Sequence, residues 1–118
     1  MAINSNKKGK AGERELANYQ TARGFPSRRG QQYRGGNESP DVICDRIEAA
    51  GFLEECKRVE ALNIHKAIDK CAEDCDGSIL SPVVMHRKNG TQWLATLRLD
   101  DFLELIDKID GEQCGDQY

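Results

Sequence analysis

Two short apolar runs, each bounded by charge, limit what this chain can fold into. Ser39-Pro40-Asp41-Val42-Ile43-Cys44 is answered by Phe52-Leu53-Glu54-Glu55-Cys56-Lys57. Both are too short for helices and read as strands, and a proline is tolerated at a strand's head because its missing N–H is not needed there. Side chains alternate across a strand, so Glu55 and Lys57 share one face while Glu54 faces away and Cys56 points back into the core. With residues 45–51 as a turn, hairpin pairing of the two runs brings Asp41 alongside Glu55. Two carboxylates beside an ammonium then form a candidate divalent-metal site.

The flanking pattern supplies the rest of a single α/β domain over residues 1–118. Residues 1–9 are polar and basic and are expected as a flexible arm. A helix is expected over residues 10–23, stopped by Gly24 at the position after its C-terminus. Glu13, Leu16, Ala17 and Gln20 fall on one face of it, so Glu13 is directed inward with the apolar contacts. Phe25-Pro26 opens an extended basic segment that turns glycine-rich and loop-like before Pro40. Residues 63–77 give the clearest helix, with Asn63 as N-cap, a stripe of Ile64, Ala67, Ile68, Cys71 and Cys75, and Gly77 at the end. His65 lies off that stripe and is expected to face solvent. An apolar strand interrupted by Pro82 leads to Asn89-Gly90, a two-residue hairpin signal, and a return strand over residues 91–97 that includes Trp93. A last helix from about Asp100 is expected to bury Phe102, Leu105, Ile106 and Ile109 and to stop at Gly111. Residues 110–118 are expected as a loose tail. The expected order is α-β-β-β-α-β-β-α, a mixed sheet flanked by helices.

Charge separates along the chain. Residues 1–36 hold eight Lys/Arg against Glu13 and Glu15, whereas residues 37–118 hold nine basic and eighteen acidic residues. A basic front on an acidic body points to a polyanionic partner. The 38% hydrophobic and 31% charged residues fit a globular domain, and no apolar run is long enough to span a bilayer. No apolar stretch follows the N-terminal lysines, so a cytoplasmic protein with no membrane partner is expected. Cys44, Cys56, Cys71, Cys75 and Cys114 form no CxxC pair, and read as small buried hydrophobes rather than zinc ligands.

Phosphodiester hydrolysis needs a positioned water, neutralisation of charge on the phosphate and stabilisation of the leaving oxygen. Mg²⁺ or Mn²⁺ held by one or two carboxylates supplies the last two. Asp41 and Glu55 are the candidate ligands, with the carbonyl of Cys56 between Glu55 and Lys57. Lys57 could orient the water or contact the phosphate. Glu13 could complete the site or hold a second ion. The histidines and serines have no setting that suggests a nucleophilic triad.

Pro40-Asp41 followed by Glu55-Cys56-Lys57 resembles the PD-(D/E)xK nuclease motif. Lys8-Gly9-Lys10-Ala11-Gly12-Glu13-Arg14-Glu15-Leu16 is similar to the first helix of the archaeal-type Holliday junction resolvases, and Gly24-Phe25 matches the family's pattern where that helix ends. The similarity is specific over residues 8–58. It implies a restriction-endonuclease-like fold, a catalytic set of Glu13, Asp41, Glu55 and Lys57, and Mg²⁺ or Mn²⁺ on Asp41 and Glu55, with Glu13 and the Cys56 carbonyl as further ligands. It also implies DNA contact through Arg14. The substrate would be four-way junction DNA in recombination or repair, cut as paired nicks by a homodimer, with no small-molecule substrate. Small bacteriophage resolvases look similar along the whole chain, which implies a phage source. Lys8, Lys10, Arg28, Arg29 and Arg34 would grip phosphates largely without regard to sequence. Residues 31–39 form a longer, more glycine-rich loop than the archaeal pattern. Competing expectations are a nicking, flap-cutting or restriction-like nuclease, a non-catalytic DNA-binding module, or an interaction protein whose acids and lysine form surface ion pairs.

Overall fold

The structure, a computed structural model, describes residues 5–30 and 41–115, with side chains over 9–30 and 41–111. The elements follow as α1 (Ser5–Ala22), β1 (Ser27–Arg29), β2 (Val42–Cys44), α2 (Asp45–Ala49), β3 (Phe52–Arg58), α3 (Ile64–Asp74), β4 (Ser81–Arg87), β5 (Leu94–Leu97) and α4 (Leu99–Gly115). The fold is α/β. Its strands form two sheets, β1-β2 and β3-β4-β5.

In the larger sheet β3 and β4 run parallel with Glu55 opposite Val84, and β4 and β5 run antiparallel with Val84 opposite Thr96. A parallel pair needs a crossover, and α3 is that crossover. The Asn63 side chain accepts the Lys66 N–H at 3.1 Å and starts α3 as the sequence indicates. Ala67, Cys71 and Cys75 of α3 then bury against Leu53 and Val84. On the other face, Leu16 and Ala17 of α1 pack with Val42, Cys56, Met85 and Trp93. The sheet is thus covered on both faces, by α3 and by α1.

Helix α1 sets the position of β2. Thr21 Oγ1 accepts the Ser27 N–H at 3.0 Å, and Ser27 Oγ donates to Gln20 Oε1 at 2.8 Å, which tie β1 to the helix. Strand β1 pairs antiparallel with β2, and the Gly30 N–H extends the ladder to the Asp41 carbonyl. Arg46 of α2 stacks 4.1 Å over the Phe25 ring and donates to the Gly24 carbonyl. Gly24, at φ 91°, holds the left-handed conformation that ends α1.

Close approach explains one other glycine. A Cβ on Gly12 would lie 2.6 Å from the Arg58 Cβ, so α1 can rest on β3 only without a side chain there. Gly12→Ala is expected to push α1 off the sheet at a cost of about 1–3 kcal/mol, measurable by urea denaturation. A variant as stable as the parent would show that the helix can shift freely.

Several expectations do not hold. Residues 45–51 hold a short helix, α2, rather than a plain turn, and β2 forms no hairpin ladder with β3. Helix α1 begins at Ser5 and takes in residues expected in a flexible arm. The β4–β5 connection spans residues 88–93 rather than two residues, so Trp93 lies outside β5 and packs under α1. Helix α4 runs through Gly111 to Gly115. Its Phe102, Ile106 and Ile109 are exposed, together with Leu99 and Leu103, while Leu105 is half-buried. The reason is geometric: α1 and α3 already fill both faces of the larger sheet, and α4 meets it at its margin, where the Ser81 hydroxyl lies 3.3 Å from Asp101 Oδ1. No helix among the described residues is long and apolar enough to cross a membrane.

Candidate active site

The site lies where the two sheets part. Among the described residues β3 is an edge strand, with β4 on one side only. On its other side the Cys56 N–H donates to Asp41 Oδ2 at 3.0 Å. A carboxylate therefore takes the place of a ladder partner. The N–H and C=O of one strand residue point to the same edge, so the Cys56 carbonyl also faces the Asp41 side.

Alternation along β3 distributes the other groups. Leu53, Glu55 and Lys57 lie on the α3 face, and Lys57 Nζ stands 3.5 Å from Glu55 Oε1. Glu55 is buried. Burial pushes its carboxyl up to about 7, and the Asp41 charge adds to that, against Lys57 and Lys70. Asp41 is raised in the same direction, first by burial, although the Cys56 N–H, Lys57, Lys70 and a hydrogen bond with Glu55 pull it down. The pair is thus crowded with negative charge and prone to hold a proton between its members.

That crowding is the test of whether a divalent ion fits. A cation would replace the proton and relieve the repulsion, and Mg²⁺ requires only one or two carboxylates because it keeps most of its waters. Asp41, Glu55 and the Cys56 carbonyl are the donors of the right type. No three His, Cys, Asp or Glu side chains among the described residues come together as a metal site. Glu13 accordingly does not join the pair in a three-carboxylate cluster. It approaches from the α1 face, whereas Glu55 lies on the α3 face, so the two can meet only around the β3 edge at Asp41. Its carboxylate instead accepts from Arg29 Nε at 3.0 Å. Burial raises Glu13, Arg29 lowers it, and the nearby Asp41 charge raises it again.

The expected phosphate-gripping residues divide. Lys10, Arg14 and Arg28 are exposed. Arg29 is half-buried and engaged by Glu13. The Lys8 side chain, Pro40, Arg34 and the loop over residues 31–39 lie outside the described residues.

Some neighbours had no local signal. Lys70 of α3 faces the Asp41–Glu55 pair, which only the packing of α3 on β3 reveals. Arg58 donates to both Glu15 oxygens, at 3.1 and 3.2 Å, and Arg87 donates to Glu15 at 2.8 Å, joining α1, β3 and β4. Glu54 is different. Only 2% exposed, it accepts from Gln20 Nε2 at 2.7 Å. Two inward-facing polar residues, one on the first helix and one on the strand, were the available clue.

No protein-family model and no curated protein matches the chain. Among solved structures it is similar to Archaeoglobus fulgidus Hjc, a Holliday junction resolvase from an archaeal hyperthermophile, with a TM-score of 0.53 over 76% of this chain and 72% of that one. The identity is 18%, so the likeness is one of fold.

Proposed function

We propose that the protein is a metal-dependent DNA endonuclease of the resolvase-like fold, acting on branched DNA and most directly on four-way junctions. The observation that carries the proposal is the Asp41–Glu55 pair at the β3 edge, with Lys57 on Glu55, in a fold similar to that of an archaeal resolvase.

In this reading Asp41, Glu55 and the Cys56 carbonyl hold Mg²⁺ or Mn²⁺. The ion, when bound, neutralises charge on the scissile phosphate and lowers the pKa of a coordinated water. Lys57 Nζ, beside Glu55, directs a proton donor at the phosphate or at the attacking water. Glu13, held by Arg29, sets a carboxylate on the opposite side of Asp41, where it can accept a proton or orient a water. Lys10, Arg14 and Arg28 hold flanking phosphates by charge, which makes binding sensitive to salt.

A four-way junction presents two equivalent strands, so a two-fold dimer suits paired incisions. The exposed stripe of Leu99, Phe102, Leu103, Ile106 and Ile109 on α4 supports association with a second copy. Ile106→Glu is expected to shift the protein to monomer in sedimentation velocity while its far-UV circular dichroism stays that of the parent. A parent protein that is already monomeric at micromolar concentration would remove this part of the proposal.

The deciding experiment is incubation with an end-labelled four-way junction and Mg²⁺ or Mn²⁺, beside flap and linear duplex substrates. Paired nicks in the junction are expected. Preferential cutting of flap or linear DNA would move the protein to another nuclease of the same fold. Junction binding without cutting in either metal would leave a non-catalytic DNA-binding module.

A further inference from the structure

A second cluster lies on the α1 face, apart from the carboxylates. Tyr19, Arg23, Arg87, Thr91, Gln92 and Trp93 line a cleft of about 210 Å³. That is below the roughly 300 Å³ at which small-molecule pockets begin, and suits a single compact group. Its chemistry is cationic. Arg23 stacks 4.6 Å from the centre of the Tyr19 ring, so its guanidinium is held in place at an exposed edge. Arg87 is fixed by donating Nη1 to Glu15 and Nε to the Thr91 carbonyl.

The Thr91 acceptors on this wall are already engaged. The Thr91 carbonyl takes Arg87, and the Thr91 hydroxyl exchanges hydrogen bonds with the Lys88 backbone. A donor is left over instead: Trp93 Nε1–H is buried with no partner among the described residues. A buried donor without an acceptor costs about 1–3 kcal/mol, and a cleft-bound oxygen recovers that only with a shift of the indole toward it. Two guanidiniums, that of Arg87 shared with Glu15, and no carboxylate among the lining residues favour an anion of oxygen type.

The cleft lies past the ends of β3 and β4 on the α1 face, opposite the face of Glu55 and Lys57. Arg58 directly follows Lys57 on β3, and Arg87 is its register partner on β4. Adjacent strands lie about 4.8 Å apart. Arg58, Arg87 and Arg23 therefore form a row of guanidiniums leading away from the end of β3, with Glu15 clamping the first two. Glu15 and Glu60 offset charge at the Arg58 end of the row, so its positive excess lies toward Arg23, at the cleft.

We propose that the Tyr19–Arg23–Arg87–Trp93 cleft is a phosphate-binding site separate from the candidate active site, holding the backbone of one DNA arm as it leaves the cutting position. This rests on the nuclease reading for the arm's origin, but not for the chemistry of the cleft. Trp93 is the chain's one tryptophan, so its emission reports directly on occupancy.

The test is titration of the full chain, without divalent metal, with an unlabelled four-way junction, followed in parallel by Trp93 fluorescence and by gel shift. A change in emission that saturates with the gel shift is expected. Arg23→Ala should bind about 5- to 10-fold more weakly at low salt and lower the log–log salt slope by about one, while Arg23→Lys, which keeps the charge, retains the slope. Arg23 is exposed, so neither variant endangers the fold. Glu55→Gln should keep the full emission change.

Unchanged emission at saturating junction overturns the proposal, as does Arg23→Ala with the parent's affinity and slope. Failure of the gel shift itself overturns this site and leaves the nuclease reading to the cutting assay. A protein that never cuts, yet shows the Arg23-dependent signal, retains the cleft and loses the nuclease. One that cuts with no such signal does the reverse. An emission change with polyglutamate and none with DNA would assign the cleft to an acidic peptide and overturn the proposal.

Discussion

Glu55→Gln is expected to reduce junction cutting by about a thousandfold or more while leaving junction binding within about twofold of the parent. The amide has the carboxylate's shape but cannot neutralise a cation. It also removes one of the two negative charges crowded at the β3 edge, so no loss of stability should accompany the loss of activity. Asp41→Asn should behave alike, because its amide oxygen can still accept the Cys56 N–H that Asp41 Oδ2 now accepts at 3.0 Å. Normal cutting by either variant would show that the site has been misplaced.

The same carboxyls set a pH dependence for metal binding. With Glu55 pushed up to about 7 by burial and by Asp41, a proton competes with the ion below that pH. Mn²⁺ should raise the melting temperature at pH 8 and lose about tenfold in affinity for each unit the pH falls below 7. In Glu55→Gln the Mn²⁺-dependent rise should vanish. An equal rise in the variant would place the ion elsewhere.

Glu54→Gln is expected to stabilise the protein at pH 8 and to leave it almost unchanged at about pH 4. Burial pushes the Glu54 carboxyl from 4.5 up to about 7, with the Gln20 hydrogen bond opposing only part of this. A carboxyl raised on folding contributes stability that is complete below its unfolded value near 4.5. The contribution falls away as the pH rises through about 7, because the folded state must then carry the buried charge. The full difference is about 3 kcal/mol at most.

Glutamine keeps the acceptor for Gln20 Nε2 and never ionises. Its melting temperature at pH 8 should therefore exceed the parent's by about 10 °C, and the two should converge near pH 4. Glu55, Asp41 and Glu13 shift in the same direction, so the parent's own acid-side gain should be reduced in the variant rather than abolished. A variant less stable than the parent at pH 8 would mean that the ionised Glu54, whose Oε1 is buried without a hydrogen-bond partner among the described residues, has a compensating cation.

Much of the candidate site could be read along the chain because alternation is a local property. Glu55 and Lys57 share a face, Glu54 takes the other, and Cys56 packs inward, all from position on one strand. Glu13 was legible as an inward residue for the same kind of reason, since it repeats with Leu16, Ala17 and Gln20. What could not be read was which side of the sheet each inward face would meet. Glu13 and Glu55 approach from opposite faces, and the Arg29 partner of Glu13 comes from β1.

Helix α4 shows the same limit from the apolar side. Its stripe of Phe102, Leu105, Ile106 and Ile109 has the spacing of a core helix, yet most of it is exposed. Periodicity states that a face is apolar, and only the tertiary structure states whether a sheet face remains to receive it. The first two positions against the sheet are taken by α1 and α3.

The two apolar runs with which the chain is most constrained thus divide along that line. By itself the sequence determined that they are strands, that the first is headed by Asp41, and that the second carries Glu55 and Lys57 on one face. Tertiary structure decided that they do not form a hairpin. Helix α2 separates them, β1 pairs with β2, and Asp41 instead meets the free edge of β3 through the Cys56 N–H. The physical reason is that an edge N–H must find an acceptor, and a carboxylate held there by β1 and α1 supplies it where a ladder strand would otherwise lie.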